Sequence, residues 1–256
     1  MNFQLRKDCW LAALTVFLIG FGASSAQSAK RMDGADTDAK PSVKRTLPKG
    51  AVEGVYAMTV GRSQLEFIIV HYWSTGALFR SETIISGHPI VTLVKGEYYY
   101  TWDRLTGEGY RVRRSPQAVE ADAKRERPFG LELSELLADG GERVRSETLD
   151  GIPVDTYRVT DESGRRTLWV DAGRMNFPVR LETFNRSTGR TGRLDWLNWN
   201  PGLVMADSFF SPTKGLKLTR FKNYEAFLER LDEGPVAPTP PLFLYLLFEA
   251  DSGGDY

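Results

Sequence analysis

The sequence predicts a mainly β (α+β) fold: one antiparallel sheet, strongly curved or half-closed as an incomplete β-barrel, with helices inserted across it. Three observations lead there. Residues 64–113 run as short β-branched and aromatic segments separated by turn residues at hairpin spacing. Two stretches near the middle, 117–126 and 131–138, change to helix formers. A second series of strand-like segments then resumes at 144 and continues to 199. Strands on both sides of a helical insertion fit one sheet that buries one face under helices.

The amino terminus reads as an export signal. Arg6 and Lys7 supply a positive start, residues 10–21 are apolar, and Ser24-Ser25-Ala26 satisfies the small-x-small cleavage rule. The apolar run is about a dozen residues, against roughly twenty needed to span a bilayer as a helix. A cleaved signal peptide at 1–26 and a periplasmic location are therefore expected. Cys9 is the single cysteine and precedes the apolar run, so no lipid attachment is expected at a cysteine after it. The mature chain then has no thiol, which excludes disulfides, thiolate metal sites and a cysteine nucleophile. Residues 27–50, with Lys40-Pro41 and Leu47-Pro48, are polar and lack apolar periodicity, as a flexible leader would.

The main domain is expected over 51–232. Residues 64–73 read as a strand buried on both faces around Phe67, Ile68, Ile69 and Val70. Segments 78–85, 90–94, 97–102 and 109–113 follow as strands, with a turn at Ser86-Gly87-His88-Pro89. Ser115-Pro116 is a cap and first helical position for 117–126. Leu131, Leu133, Leu136 and Leu137 lie near helical spacing, and Gly140-Gly141 ends that helix. Strands are expected again at 144–148, 154–160, 166–170, 178–184, 193–199 and 216–221, then a short helix at 223–231 with Tyr224, Phe227, Leu228 and Leu231 on one side. A tail at 233–256 carries Pro235, Pro238, Pro240 and Pro241 ahead of an apolar stretch, 242–248. Whether that stretch packs back on the domain is not decided by the sequence.

Charge and chemistry narrow the function. The precursor has 33 basic and 33 acidic residues, and loss of 1–26 leaves 31 against 32. Nucleic-acid binding is not expected from such a balance. His71, in the most apolar strand, reads as a hydrogen-bonded core histidine, and His88 as an exposed turn residue. Neither has a spaced partner for zinc, so no metal and no cofactor is expected. Asp150, Asp161, Glu162 and Asp171 sit at strand ends or turns, where acids are usually solvated. With no nucleophile elbow and no phosphate loop, no enzymatic activity is expected. The aromatics, among them Tyr98, Tyr99, Tyr100, Trp102, Trp196 and Trp199, suit sheet core or a concave pocket for an acyl chain.

In three places the chain resembles the periplasmic lipoprotein-sorting carriers and their relatives, among them sigma-factor regulatory proteins of similar fold. Gly96-Glu97-Tyr98-Tyr99-Tyr100 is similar to the family's aromatic hairpin, with Lys95 where aspartate is usual. The run from Gly151 to Tyr157, then Leu168-Trp169-Val170-Asp171 and Phe177-Pro178-Val179-Arg180-Leu181-Glu182, resembles its central hairpins. Phe209-Phe210-Ser211-Pro212-Thr213-Lys214-Gly215-Leu216 resembles its closing signature, with one extra residue between Pro212 and Gly215. Together these span about 52–221. The resemblance implies an incomplete barrel whose concave apolar face is covered by helices and, in carriers, holds acyl chains. Carriers typically have an arginine followed by proline where this chain has Ser74-Thr75, and Arg80 in the next strand is the candidate for a similar gating role.

Strand alternation nominates Phe67, Ile69, Tyr72, Trp73, Phe79, Arg80, Tyr98, Tyr100 and Trp169 as cavity lining. The expected function is binding or trafficking of an acyl chain or lipidated protein in the periplasm. The alternative is an interaction or sensor module that docks an envelope membrane-protein partner without catalysis.

Overall fold

The computed structural model describes residues 46–63, 67–85, 87–125, 127–174, 176–234 and 242–248. The expected signal peptide and most of the leader lie outside these residues, as do 235–241 and 249–256 of the tail. Among the described residues, twelve strands form one sheet that does not close into a barrel, and helices cover its concave face.

The strands are β1 (Ala51–Ser63), β2 (Phe67–Thr75), β3 (Leu78–Ile85), β4 (His88–Lys95), β5 (Tyr98–Asp103) and β6 (Glu108–Arg113), then β7 (Glu142–Leu149), β8 (Ile152–Thr160), β9 (Gly164–Asp171), β10 (Pro178–Asn185), β11 (Thr191–Ala206) and β12 (Lys217–Phe221). Their spatial order is β12-β6-β5-β4-β3-β2-β1-β11-β10-β9-β8-β7. The first six strands therefore meander outward from β1. The chain crosses to the far edge through helices α1 (Pro116–Lys124) and α2 (Glu132–Ala138), and β7 to β11 meander back until β11 pairs with β1. Every pairing is antiparallel except the last, in which β12 lies parallel to β6.

Local chemistry explains the helix boundaries. The Ser115 hydroxyl accepts a hydrogen bond from the Ala118 amide, and Pro116 takes the first helical position, where its missing N–H loses nothing. After α2 the Gly141 amide donates to the Leu136 carbonyl, with Gly140 at φ +81°. Helix α3 (Tyr224–Asp232) is capped by the Asn223 side chain, which accepts from the Ala226 amide. A fourth helix, α4 (Leu244–Leu247), is a single turn in the tail.

Three expectations need correction. Strand-like texture begins in the sequence at about residue 54, but the first strand expected there is 64–73, whereas β1, central to the sheet, precedes it with Gly54 and Gly61 interrupting its apolar alternation. Gly54 is needed there: a Cβ would come within 2.1 Å of the Ser74 carbonyl oxygen. Strand β2 is not buried on both faces at its start, since Phe67 is 61% exposed on the face that the helices do not cover. Strand β11 continues to Ala206, well past the expected end at 199.

Packing separates the two faces. On the covered face a core unites Ala57, Val70, Tyr72, Phe79, Val94, Tyr99, Tyr110, Val112 and Trp196 with Phe129 from the α1–α2 connection, Phe227 from α3, and Leu246 and Leu247 from α4. Leu136 of α2 extends this cover over Val159, Leu168 and Val170. On the opposite face a 3-10 turn, Asp207–Phe210, buries Phe210 against Val91, Leu93 and Trp102.

Candidate functional site

The covered face has a floor of small side chains and walls of large ones. Cross-strand register places Tyr72, Ser81, Thr92, Thr101 and Tyr110 in one row, and Ser74, Phe79, Val94, Tyr99 and Val112 in the next. Ser81, Thr92 and Thr101 are completely buried yet reach only a short way from the sheet. They leave a trough between aromatic walls.

A bulge builds one wall. Asn198 adopts φ +56°, and the β1–β11 register shifts beside it. The irregularity turns both Trp196 and Trp199 inward, three residues apart, with ring centroids 5.0 Å from each other. Phe177 stacks on Trp199 at 4.4 Å, Phe129 stacks on Tyr72 at 5.1 Å, and the Arg127 guanidinium lies 5.0 Å over the Phe177 ring. Gly130, at φ +71°, fits under Trp199 only because it lacks a Cβ, which would meet that ring at 2.6 Å.

The tail fills the trough. Phe243 sits 5.2 Å from Phe79 and 6.0 Å from Tyr72, while Leu246 and Leu247 are 0% exposed. Four polar contacts fix the segment. The Leu242 amide donates to the Tyr99 hydroxyl at 3.2 Å, and the Tyr245 hydroxyl donates to the Pro128 carbonyl at 2.8 Å. The Ser115 amide donates to the Leu247 carbonyl at 3.0 Å, and Arg114 Nε donates to the Leu246 carbonyl. Arg114 is a buried hub, because it also bonds the Gly96 and Ala118 carbonyls and pairs with Asp122. The question left open by the sequence has a structural answer: 242–248 packs back on the domain.

An acidic pair lies under this cover. Burial raises the Glu132 carboxyl to about 8, with the neighbouring Glu135 adding to the shift. Glu132 Oε2 is buried without a hydrogen-bond partner. Glu135 is raised as well, first by burial. Both carboxyls act on the Tyr245 hydroxyl, whose pKa rises well above its ordinary value chiefly because it is buried.

Of the nine nominated residues, Tyr72 and Phe79 lie on the covered face, where they contact each other and Phe129. Phe67, Ile69, Trp73, Arg80, Tyr98, Tyr100 and Trp169 alternate with covered-face residues and so point the other way. Trp73 and Arg80 meet there across β2 and β3. Tyr98 lies under the Arg111 guanidinium at 4.5 Å, with Tyr100 beside it. Trp169 donates from its indole to Glu147 at 2.8 Å, and that carboxyl, also bonded by Thr156 and Arg145, is held down at about 2. The alternation of β2 and β5 was readable, but not which phase faced the helices. Phe129, Trp196, Trp199 and the tail are among the covered-face residues that the nomination missed.

The histidines and three of the turn acids have definite partners. His71 is not a core residue. It faces the open side, 3.0 Å from the Tyr56 hydroxyl and stacked on Trp73 at 5.8 Å. His88 is half-exposed and pairs with buried Asp103 at 2.7 Å. Asp161 accepts from the amides of Ser163 and Gly164, Asp171 accepts from Gly173, and Asp150 pairs with Arg180 at 2.9 Å.

On the open face a groove of about 610 Å³ runs between the sheet and the segment after the 3-10 turn. Trp73, Arg80, Trp102, Arg104 and Phe209 are among the residues that line it.

In sequence the chain matches no family model and no curated protein. In structure it is similar to an uncharacterized conserved protein from Thermus thermophilus, at 11% identity and a TM-score of 0.48, over 66% of this chain and 90% of that one. It is also similar to a chain of the MucA/MucB complex of Pseudomonas aeruginosa, at 14% identity and a TM-score of 0.43, over 65% of this chain and 58% of that one. A third similar structure is a putative outer membrane lipoprotein-sorting protein domain from Vibrio parahaemolyticus, at 10% identity and a TM-score of 0.28, over 70% of this chain and 90% of that one. At such identities and scores the likeness transfers no ligand or partner to this chain.

Proposed function

We propose that this chain is an exported envelope protein that binds an acyl chain, free or carried by a lipidated protein, in the trough of its covered face. One observation carries the reading. The trough already holds an apolar segment, 242–248, which reaches it from beyond the proline-rich stretch 235–241 and contributes Leu246 and Leu247 at 0% exposure. A floor of small residues between aromatic walls suits a linear apolar guest, because each buried methylene contributes about 0.8 kcal/mol without any directional requirement. In this reading the tail holds the place of the guest and leaves when the guest enters, with α1 and the α1–α2 connection as the parts that yield.

A second reading has its own support. Among the described residues the outer edge of β7 is unpaired, and the first five residues of that strand are exposed, so an extended segment of a membrane-protein partner has a sheet edge to extend. Native mass spectrometry of the mature protein purified from the periplasm, followed by lipid extraction, separates the two. A stoichiometric acyl-bearing adduct supports binding in the trough. A clean apo mass, together with no displacement of a fluorescent fatty acid, rejects it and favours docking at the edge.

A further inference from the structure

The open-face groove carries a second site, independent of the trough. Its central residue is Arg80, which β3 projects from beside Trp73 of β2 and Leu93 of β4. The guanidinium is held between two rings, 4.4 Å from the centroid of Phe209 and 5.7 Å from that of Trp102. One amino group donates to the Phe209 carbonyl at 3.0 Å, while the buried Nε has no hydrogen-bond partner. Burial lowers the pKa of this arginine, the mark of a cation removed from water.

No carboxylate within ion-pair distance compensates it among the described residues. The nearby acid, Glu82, is committed to Arg104, which bonds both carboxylate oxygens at 3.0 Å. The groove thus carries a net positive charge, Arg80 and Arg104 against the single carboxylate of Glu82, with the Arg80 guanidinium held between two rings and outside any ion pair. Ring contacts attract a cation but do not neutralise it, and a desolvated charge is unfavourable unless paired. A planar guanidinium presents its free edge as a fork that matches an oxyanion. Trp73, the cross-strand neighbour of Arg80, and Phe209 are in contact at 5.2 Å and give the groove an apolar wall.

We propose that this groove binds a small organic oxyanion, a carboxylate or phosphate monoester on an apolar body, with Arg80 taking the charge and Trp73 the apolar part. The ligand class follows from the pairing of one unneutralised guanidinium with an aromatic wall. An inorganic anion uses only half of the site.

The test is a titration of the mature full-length protein with phenyl phosphate, benzoate, inorganic phosphate and benzyl alcohol, followed by calorimetry and by the indole N–H resonances. Phenyl phosphate or benzoate is expected to bind saturably and to shift the indoles of Trp73 and Trp102 while leaving Trp196 and Trp199 unmoved. Inorganic phosphate is expected to bind more weakly, and the neutral alcohol not at all. Arg80→Met, which keeps the apolar stem, should weaken binding by about tenfold or more, as loss of a charge-assisted hydrogen bond requires. No saturable binding of either aryl anion, shifts confined to Trp196 and Trp199, or equal affinity in an Arg80→Met protein that melts like the parent would each overturn the proposal. The indole arm needs no variant, so a misfolded Arg80→Met protein leaves the test intact. An acyl guest in the trough moves Trp196 and Trp199, so failure of one site is distinguishable from failure of the other.

Discussion

Replacing Leu246 and Leu247 with alanine, singly and together, separates a displaceable tail from an ordinary piece of core. Both side chains are 0% exposed and contact the same aromatic cluster. A buried leucine truncated to alanine costs about 2–5 kcal/mol where the site cannot collapse. If the tail unfolds only with the sheet, the double substitution should lower global stability by about 4–10 kcal/mol, because each cavity is felt in full. The docking balance suggests otherwise. Burying Leu246 and Leu247 fully, and Phe243 and Tyr245 in part, gains about 5–9 kcal/mol. The four hydrogen bonds of the segment add about 1 kcal/mol each. Ordering the backbone of 242–248 costs about 7–14 kcal/mol. Docking is thus within a few kcal/mol of zero, and a segment so balanced detaches before the sheet melts. The expected result is a loss of about 3 kcal/mol or less from the first substitution, with almost nothing more from the second. Urea denaturation followed by tryptophan fluorescence reads the global term. Hydrogen exchange of the Ser115 amide, which donates to the Leu247 carbonyl, reads tail release. Additive losses from the two leucines, with no early exchange at Ser115, would refute the reasoning.

Gly130→Ala should destabilise by about 1–3 kcal/mol in chemical denaturation, since φ +71° is strained for alanine and its Cβ meets Trp199 at 2.6 Å. Arg114→Met should cost about 3–5 kcal/mol, because it removes one of the two arginines that pair with the nearly buried Asp122 and frees three carbonyls; a loss below 1 kcal/mol would contradict the hub role. The raised carboxyl of Glu132 gives a pH signature of definite sign. Its folded value of about 8 exceeds the ordinary 4.5, so the folded state holds more protons between those values. Stability must then fall as pH rises through that window and level off above it. Glu132→Gln should flatten the slope and raise the melting temperature at the alkaline end, as thermal melts across the window would show.

Much of the fold was legible because its signals are local. Ser115-Pro116 and Asn223 announce helix starts through side chains that bond the next turn, and the hairpins from β2 to β6 alternate plainly. Strand β1 was not legible. Its Gly54 serves a close approach of the neighbouring strand, a tertiary demand that looks locally like a loop. Phase was the second loss. A strand such as β5 carries aromatics on both sides, Tyr99 inward and Tyr98 and Tyr100 outward, so alternation does not tell which side the helices cover. For that reason seven of the nine nominated residues fall on the open face. The inward pair Trp196 and Trp199 breaks period two through a bulge at Asn198, and positive φ at asparagine is the one sequence-level hint of it. The tail was visible as an apolar stretch, but its destination depends on the trough left by Ser81, Thr92 and Thr101, three residues with no apolar signature of their own.

Titration of a fluorescent fatty acid into the mature protein and into a Leu246→Ser/Leu247→Ser variant tests the central claim most directly. The account predicts tight one-to-one binding by the variant, with energy transfer from Trp196 and Trp199, and weaker binding by the parent, whose tail competes for the trough. A variant that keeps its native far-ultraviolet spectrum and cooperative melt but takes up no fatty acid would contradict it.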